Sequence, residues 1–238
     1  MKLRVQPEMS AENPQAPLVP AGAISISDIR SILAAKLPFS IEIAADRQLV
    51  ECRTLQTNPD LPRAFRLMLR FSVPPFHEGR NILNISGFHV LERRQGIGKI
   101  TLANIVRLAI KAGCDGLSLG ASEDGGLFWA RAGFRAKVAP SHLSATVDEL
   151  GCHYPEDMAL IRKETDPAQI VWKASDFTKP DWAGQPSNRR LLVNDIEGWP
   201  GELLFSDQEA VDRLCKFLET DRASLGFRPI KERGFTKG

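Results

Sequence analysis

Residues 93–113 read RRQGIGKITLANIVRLAIKAG, two arginines and two glycines directly ahead of a helical apolar pattern. The reading of that junction decides the fold. Leu102, Ile105, Val106 and Ala109 recur at helical spacing and predict one face packed on a sheet, with Gly113 as the stop. Upstream, RNILNISGFHVL (80–91) has the period of a strand, with Ile82, Asn84, Ser86 and Phe88 expected on one face. Gly96 and Gly98 therefore stand where a strand turns into a helix. Such a turn is either a tight corner or a cradle whose backbone N–H groups meet a phosphate at the positive helix end.

The flanking segments extend the alternation. CDGLSLGAS (114–122) predicts a buried strand, and EDGGLFWARAGF (123–134) a short helix ending at Gly133. Further upstream, SISDIRSILAAKL (25–37) has helix-start residues before a spaced apolar face. FSIEIAAD (39–46) and LVECRTL (49–55) alternate as a pair of strands, and LPRAFRLMLRFSV (61–73) reads ambiguously, as a short helix entering a strand. Beyond residue 134, SATVDEL (144–150) and DMALIRKE (157–164) are strand-like pieces. From 165 to 201 the pattern weakens among Pro167, Pro180, Pro186 and Pro200, and Trp172, Trp182 and Trp199 need cover. SDQEAVDRLCKFLET (206–220) is an amphipathic helix capped by Ser206 or Asp207, with Val211, Leu214, Cys215 and Leu218 facing inward. This divides the chain into a flexible leader over 1–23, a main domain over 24–164, and an extension of that domain over 165–238.

Three phosphate-binding designs compete for the glycine turn. A Walker A loop needs a lysine and a Ser or Thr at a spacing that GIGK lacks. A dinucleotide fingerprint needs a third glycine where Thr101 stands. What remains is Arg93 followed by two residues, Gly96, one residue and Gly98. That pattern resembles the (Arg/Gln)-x-x-Gly-x-(Gly/Ala) turn of the GCN5-related N-acetyltransferase family. A second family signature, Tyr-x-x-x-Gly-Phe, resembles WARAGF, in which Gly133 and Phe134 match and Trp129 takes the tyrosine position. The two motifs cover roughly Asn81 to Phe134.

The resemblance implies a mixed α/β fold with a central sheet of the acyl-CoA N-acyltransferase type, and acetyl-CoA as cofactor. It assigns the coenzyme phosphates to the turn of Arg93, Arg94, Gln95, Gly96, Ile97, Gly98 and Lys99. Phe88 and Val90, in the strand before the turn, would offer backbone groups to the pantetheine arm, with Trp129 beside them. The implied reaction is acetyl transfer to an amine of a protein or small molecule. Such a transfer uses a base on the amine and an acid on the leaving thiolate. Candidates for the base are His89, Glu92 and Glu123; His77 is a weaker candidate. An indole donates a hydrogen bond but is too weak an acid to give up its proton, so Trp129 departs from the family's acid. Tyr154 is the chain's one tyrosine. The alternative reading is an acetyltransferase-fold interaction module without catalysis.

The chain as a whole narrows the classes. Among 238 residues the formal net charge is +2 and basic residues are spread along the sequence, so no nucleic-acid partner is expected. No apolar run reaches membrane-spanning length, and the first residues lack the apolar core of a signal peptide. Cys52, Cys114, Cys152 and Cys215 lie far apart, which suits a reducing, cytoplasmic setting. Cys152, His153 and His142 lack the spacing of a zinc site, so no metal is expected. The oligomeric state is left open.

Overall fold

The computed structural model describes residues 24–45, 49–54, 65–71, 79–90, 96–122, 124–138, 159, 161, 163–177 and 198–228. Its framework is a seven-stranded mixed sheet with helices packed on it. In chain order the elements are α1 (Ile26–Ala34), β1 (Ile41–Ala45), β2 (Leu49–Thr54), β3 (Phe65–Phe71), β4 (Ile82–Val90) and α2 (Ile97–Lys111). There follow β5 (Gly116–Ala121), α3 (Asp124–Arg131), β6 (Arg135–Ala136), α4 (Pro167–Asp176), β7 (Trp199–Leu204), α5 (Gln208–Leu218) and α6 (Arg222–Leu225). The spatial order is β1-β2-β3-β4-β5-β7-β6. Neighbours run antiparallel except β4 and β5, which are parallel and joined through α2, as a crossover connection requires.

Local chemistry accounts for the first half. Ser25 and Asp28 form a reciprocal capping box that starts α1. Within the 61–73 stretch the described residues 65–71 form a strand: Phe65, Leu67, Leu69 and Phe71 are all buried on one face of β3 while Arg66 and Arg70 are exposed on the other. Leu102, Ile105, Val106 and Ala109 of α2 are fully buried, and Asn104 beside them donates from Nδ2 to the carbonyls of Leu33 and Ala35. That amide closes the open end of α1 against α2, so its burial is satisfied.

Two expectations change. Ile82, Asn84, Ser86 and Phe88 do not share a face, because the β3–β4 register shifts: Met68 opposes Gly87 but Leu69 opposes Ile85. Ser86 is the extra residue of a β-bulge, which carries Phe88 round to the buried side. There Phe88 meets Phe65 edge-on, whereas Ser86 donates to Asn84 Oδ1 at 2.8 Å on the exposed side.

The region 165–201 is also more regular than its composition suggests. Pro167 sits in the first turn of α4 behind an Asp166 cap, where its missing N–H costs nothing. Pro200 lies within β7, which inserts between β5 and β6. Of the expected strand at 157–164, the described residues Ala159 and Ile161 are helical; the 144–150 piece lies outside the described residues. Among those described, no helix is long and apolar enough to cross a membrane.

Candidate functional site

β4 and β5 begin as a closed parallel pair and then part. Pairing runs from Ile82 opposite Gly116 to Ile85 opposite Leu119 and ends there. Among the described residues β4 continues to Val90 with β3 alone beside it, while β5 stays paired with β7 from Gly116 through Ala121. The bulge at Ser86 falls where the separation begins, and a bulge bends and twists its strand. The result is a wedge whose β4 edge has no ladder partner over Ser86–Val90 among the described residues.

A cavity of about 650 Å³ occupies this wedge. Its sides are Ser86–Val90 of β4, Leu119 and Gly120 at the end of β5, and Gly125, Phe128 and Trp129 of α3. Its mouth is the first turn of α2, Gly96 through Lys99. Ile85 and Leu119, each 4% exposed, make an apolar floor where the strands close.

The two glycines of the turn have different jobs. Gly96 is the N-cap of α2 at φ +72°, a left-handed conformation that a Cβ penalises, and a Cβ there would meet nothing within 4 Å. Ile100 N–H is bonded back to the Gly96 carbonyl at 3.0 Å, so the N–H groups before it have no intrahelical acceptor. Among the described residues no side chain caps this end, and the first turn has no acidic residue. It is thus an electropositive end open to an anion. Gly98 is needed for packing: a Cβ there would stand 3.1 Å from the Phe128 ring.

Sequence reading and structure can be compared residue by residue. Phe88, His89, Val90, Gly96, Ile97, Gly98, Lys99 and Trp129 all line the one cavity. Glu92, Arg93, Arg94, Gln95 and Glu123 lie outside the described residues, as do His77, His142, Cys152, His153 and Tyr154. Lys99, expected to reach a phosphate, is paired with Glu219 at 2.6 Å and lies 5.1 Å over the Phe217 ring. That contact draws the carboxylate of Glu219 below its usual range. Phe217 itself lines the cavity. Nothing in the motifs pointed to it, because it arrives from α5, about 120 residues along the chain.

The wall on the α3 side is aromatic. Trp129 packs against Phe128 at 4.8 Å between ring centroids, Phe134 at 5.2 Å and Phe88 at 5.6 Å. His89 and Lys99 are the basic side chains among the described lining residues, and His89 is exposed on its strand. The cavity can therefore take an elongated ligand with an anionic end at α2, a polar chain along β4, and a reactive end near His89 and Trp129. A scan against protein-family models and a search of the curated proteins found no match to this chain.

Proposed function

We propose that the chain is an N-acetyltransferase of the acyl-CoA N-acyltransferase fold, moving an acetyl group from acetyl-CoA to an amine. The observation that carries this reading is the junction of two features in one cavity: the uncapped α2 end at Gly96 and the β4–β5 wedge beyond Ile85. Each answers a different part of the coenzyme. The α2 N–H groups suit the pyrophosphate. The unpaired β4 edge suits the amide groups of the pantetheine arm, which would extend the sheet as a strand does.

In this reading the chain supplies position and charge stabilisation. The β4 edge aligns the thioester, and backbone N–H donors there meet the oxygen as negative charge develops on it. The amine nitrogen attacks the thioester carbon, the C–N bond forms as the C–S bond breaks, His89 takes the nitrogen's proton directly or through one water, and coenzyme A leaves as a thiolate that is protonated from water. His89 lines the cavity and is exposed on its strand, a position from which it can meet an incoming amine. The acceptor is a protein or small-molecule amine.

Isothermal titration of the full chain with acetyl-CoA tests the reading. Wild type is expected to bind saturably. Gly96→Asp puts a carboxylate at the helix end in a residue type that tolerates the left-handed region. It should weaken binding by roughly tenfold or more through like-charge repulsion, with the unfolding midpoint little changed. No binding by wild type at millimolar coenzyme overturns the proposal. Undiminished binding by Gly96→Asp removes the phosphates from α2.

A further inference from the structure

We infer that the acceptor is an amine that carries an anionic group, as an amino acid carries its carboxylate, and that Arg66 on β3 binds that group. The inference rests on the acetyl-transfer reading above and names the substrate class that the reading leaves open.

The observation is a row of side chains that ends at the proposed base. Glu42, Arg53, Arg66 and His89 are successive register partners across β1, β2, β3 and β4, and register partners share one face of a sheet. Arg66 and His89 are both exposed there, on the face away from Phe65, Leu67, Leu69 and Phe71. Directly opposed residues have Cβ atoms about 5 Å apart, so Arg66 is the cross-strand neighbour that an acceptor at His89 meets. The carboxylates of this face are already committed. Glu42 accepts from Arg53 Nε at 3.0 Å, and Glu51 accepts from Arg66 Nε at 3.1 Å. The second bond steadies the Arg66 side chain while its terminal Nη groups have no partner among the described residues. Arg70, four residues along on the same face, is exposed and has no ion pair among the described residues.

Charge then selects the acceptor. A simple alkylamine arrives mainly as an ammonium, and Arg66 and Arg70 oppose it with like charge on a face whose carboxylates are taken. A polyamine or a lysine-rich segment needs the opposite, an acidic face. An amine with its own carboxylate offsets the repulsion, because the planar Nη fork of an arginine matches the two carboxylate oxygens. With that group held over β3, the nitrogen lies towards β4, one strand spacing of about 5 Å away. There His89 meets it at the side of the wedge. The span suits an amino group within a few bonds of its carboxylate. Cationic surroundings also favour the neutral amine, which is the form that attacks the thioester.

The test follows release of the coenzyme A thiol from acetyl-CoA by the full chain. The acceptors are the common amino acids, β-alanine and 4-aminobutyrate, each against the amine that lacks its carboxylate. Wild type should use at least one amino acid with kcat/KM roughly tenfold or more above its decarboxylated counterpart. In Arg66→Gln the ratio should fall towards one, through a higher KM for the amino acid and better use of the bare amine, which is relieved of a like charge. Arg66→Lys keeps the charge without the fork and should restore part of the ratio. The Arg66 side chain is 56% exposed, so both variants should melt close to wild type. A wild-type ratio of one or below, or a ratio that survives Arg66→Gln, overturns the inference and leaves acetyl transfer standing. Calorimetric binding of acetyl-CoA with no amino acid acetylated overturns the inference and leaves the coenzyme site standing. Failure of wild type to bind acetyl-CoA overturns the coenzyme reading and this inference together.

Discussion

Trp129 and Trp172 are both buried tryptophans next to Phe134, and the molecule treats them in opposite ways. Trp172 is clamped. Its N–H is spent on the Phe134 carbonyl, Arg135 stacks 4.5 Å from its ring centroid, and Arg213 lies at 5.6 Å. Both arginines are themselves held. Arg135 pairs with Asp207, with Glu209 at 3.1 Å and with Asp166 at 3.2 Å; Arg213 bonds Asp176 at 2.7 Å and the carbonyl of Trp172 at 2.9 Å. Trp129 has comparable aromatic packing but no polar partner among the described residues. The third indole of the described fold, Trp199 in β7, is buried with its Nε1 unpartnered there too, so what sets Trp129 apart is that it lines the cavity. The clamp ties α4, β6 and α5 together; the open indole faces the wedge.

The same substitution at both sites gives the sharpest contrast. Trp172→Phe strands the Phe134 carbonyl and weakens the arginine stack, whereas Trp129→Phe breaks no hydrogen bond within the described protein. Urea unfolding should show Trp172→Phe as the more destabilising by about 1–3 kcal/mol. Equal costs would erase the distinction.

A smaller effect is expected from the charges that orient the clamp. Hydrogen bonding to Arg135 holds the Asp207 carboxyl below its usual range, and that carboxylate also caps α5 through Ala210 N–H. A depressed folded value means the contribution is complete above the unfolded value of about 4 and is lost as pH falls through the folded one. Asp207→Asn keeps a capping oxygen but loses the ion pair. It should cost about 1 kcal/mol at neutral pH, and stability curves of the two proteins should converge below about pH 4. A cost that persists in acid assigns Asp207 to capping alone.

The smallest effect concerns thiols. Burial pushes Cys52 and Cys114 up to about 12, with neighbouring Glu51 and Asp115 adding to it. Cys215 is half-buried and its thiol is raised chiefly by burial as well. Alkylation at pH 8 with peptide mapping should modify Cys215 before Cys52 or Cys114. Early labelling of Cys114, buried in the turn between α2 and β5, would mean that this turn opens in solution.

Much of the architecture was legible because it rests on local rules. The 3.6 period of Leu102, Ile105, Val106 and Ala109, the Ser25–Asp28 box and the glycine stops at 113 and 133 each correspond to an observed feature. The β1–β2 pairing followed from simple alternation. The bulge at Ser86 was not legible, since it needs β3 to supply one residue against two. Nor was β7, whose proline and glycine weaken the strand signal; its place is fixed by pairing from Gly116 opposite Leu204 to Ala121 opposite Trp199.

At the site, the motif resemblance grouped Gly96, Gly98, His89 and Trp129, and the structure brings them to one cavity because they belong to one strand–helix–strand–helix unit with short connections. The sequence by itself thus determined α1, α2, α3 and α5, the β1–β2 pair and the β4–α2–β5–α3 order of the cavity's local walls. Only tertiary structure decided the depth of the wedge, the Phe217 wall with Lys99 bound to Glu219, and which indole remains open. The physical reason is that these depend on non-local neighbours. A register shift, a distant helix and an absent Cβ at Gly125 set them, and no periodic pattern encodes such distances.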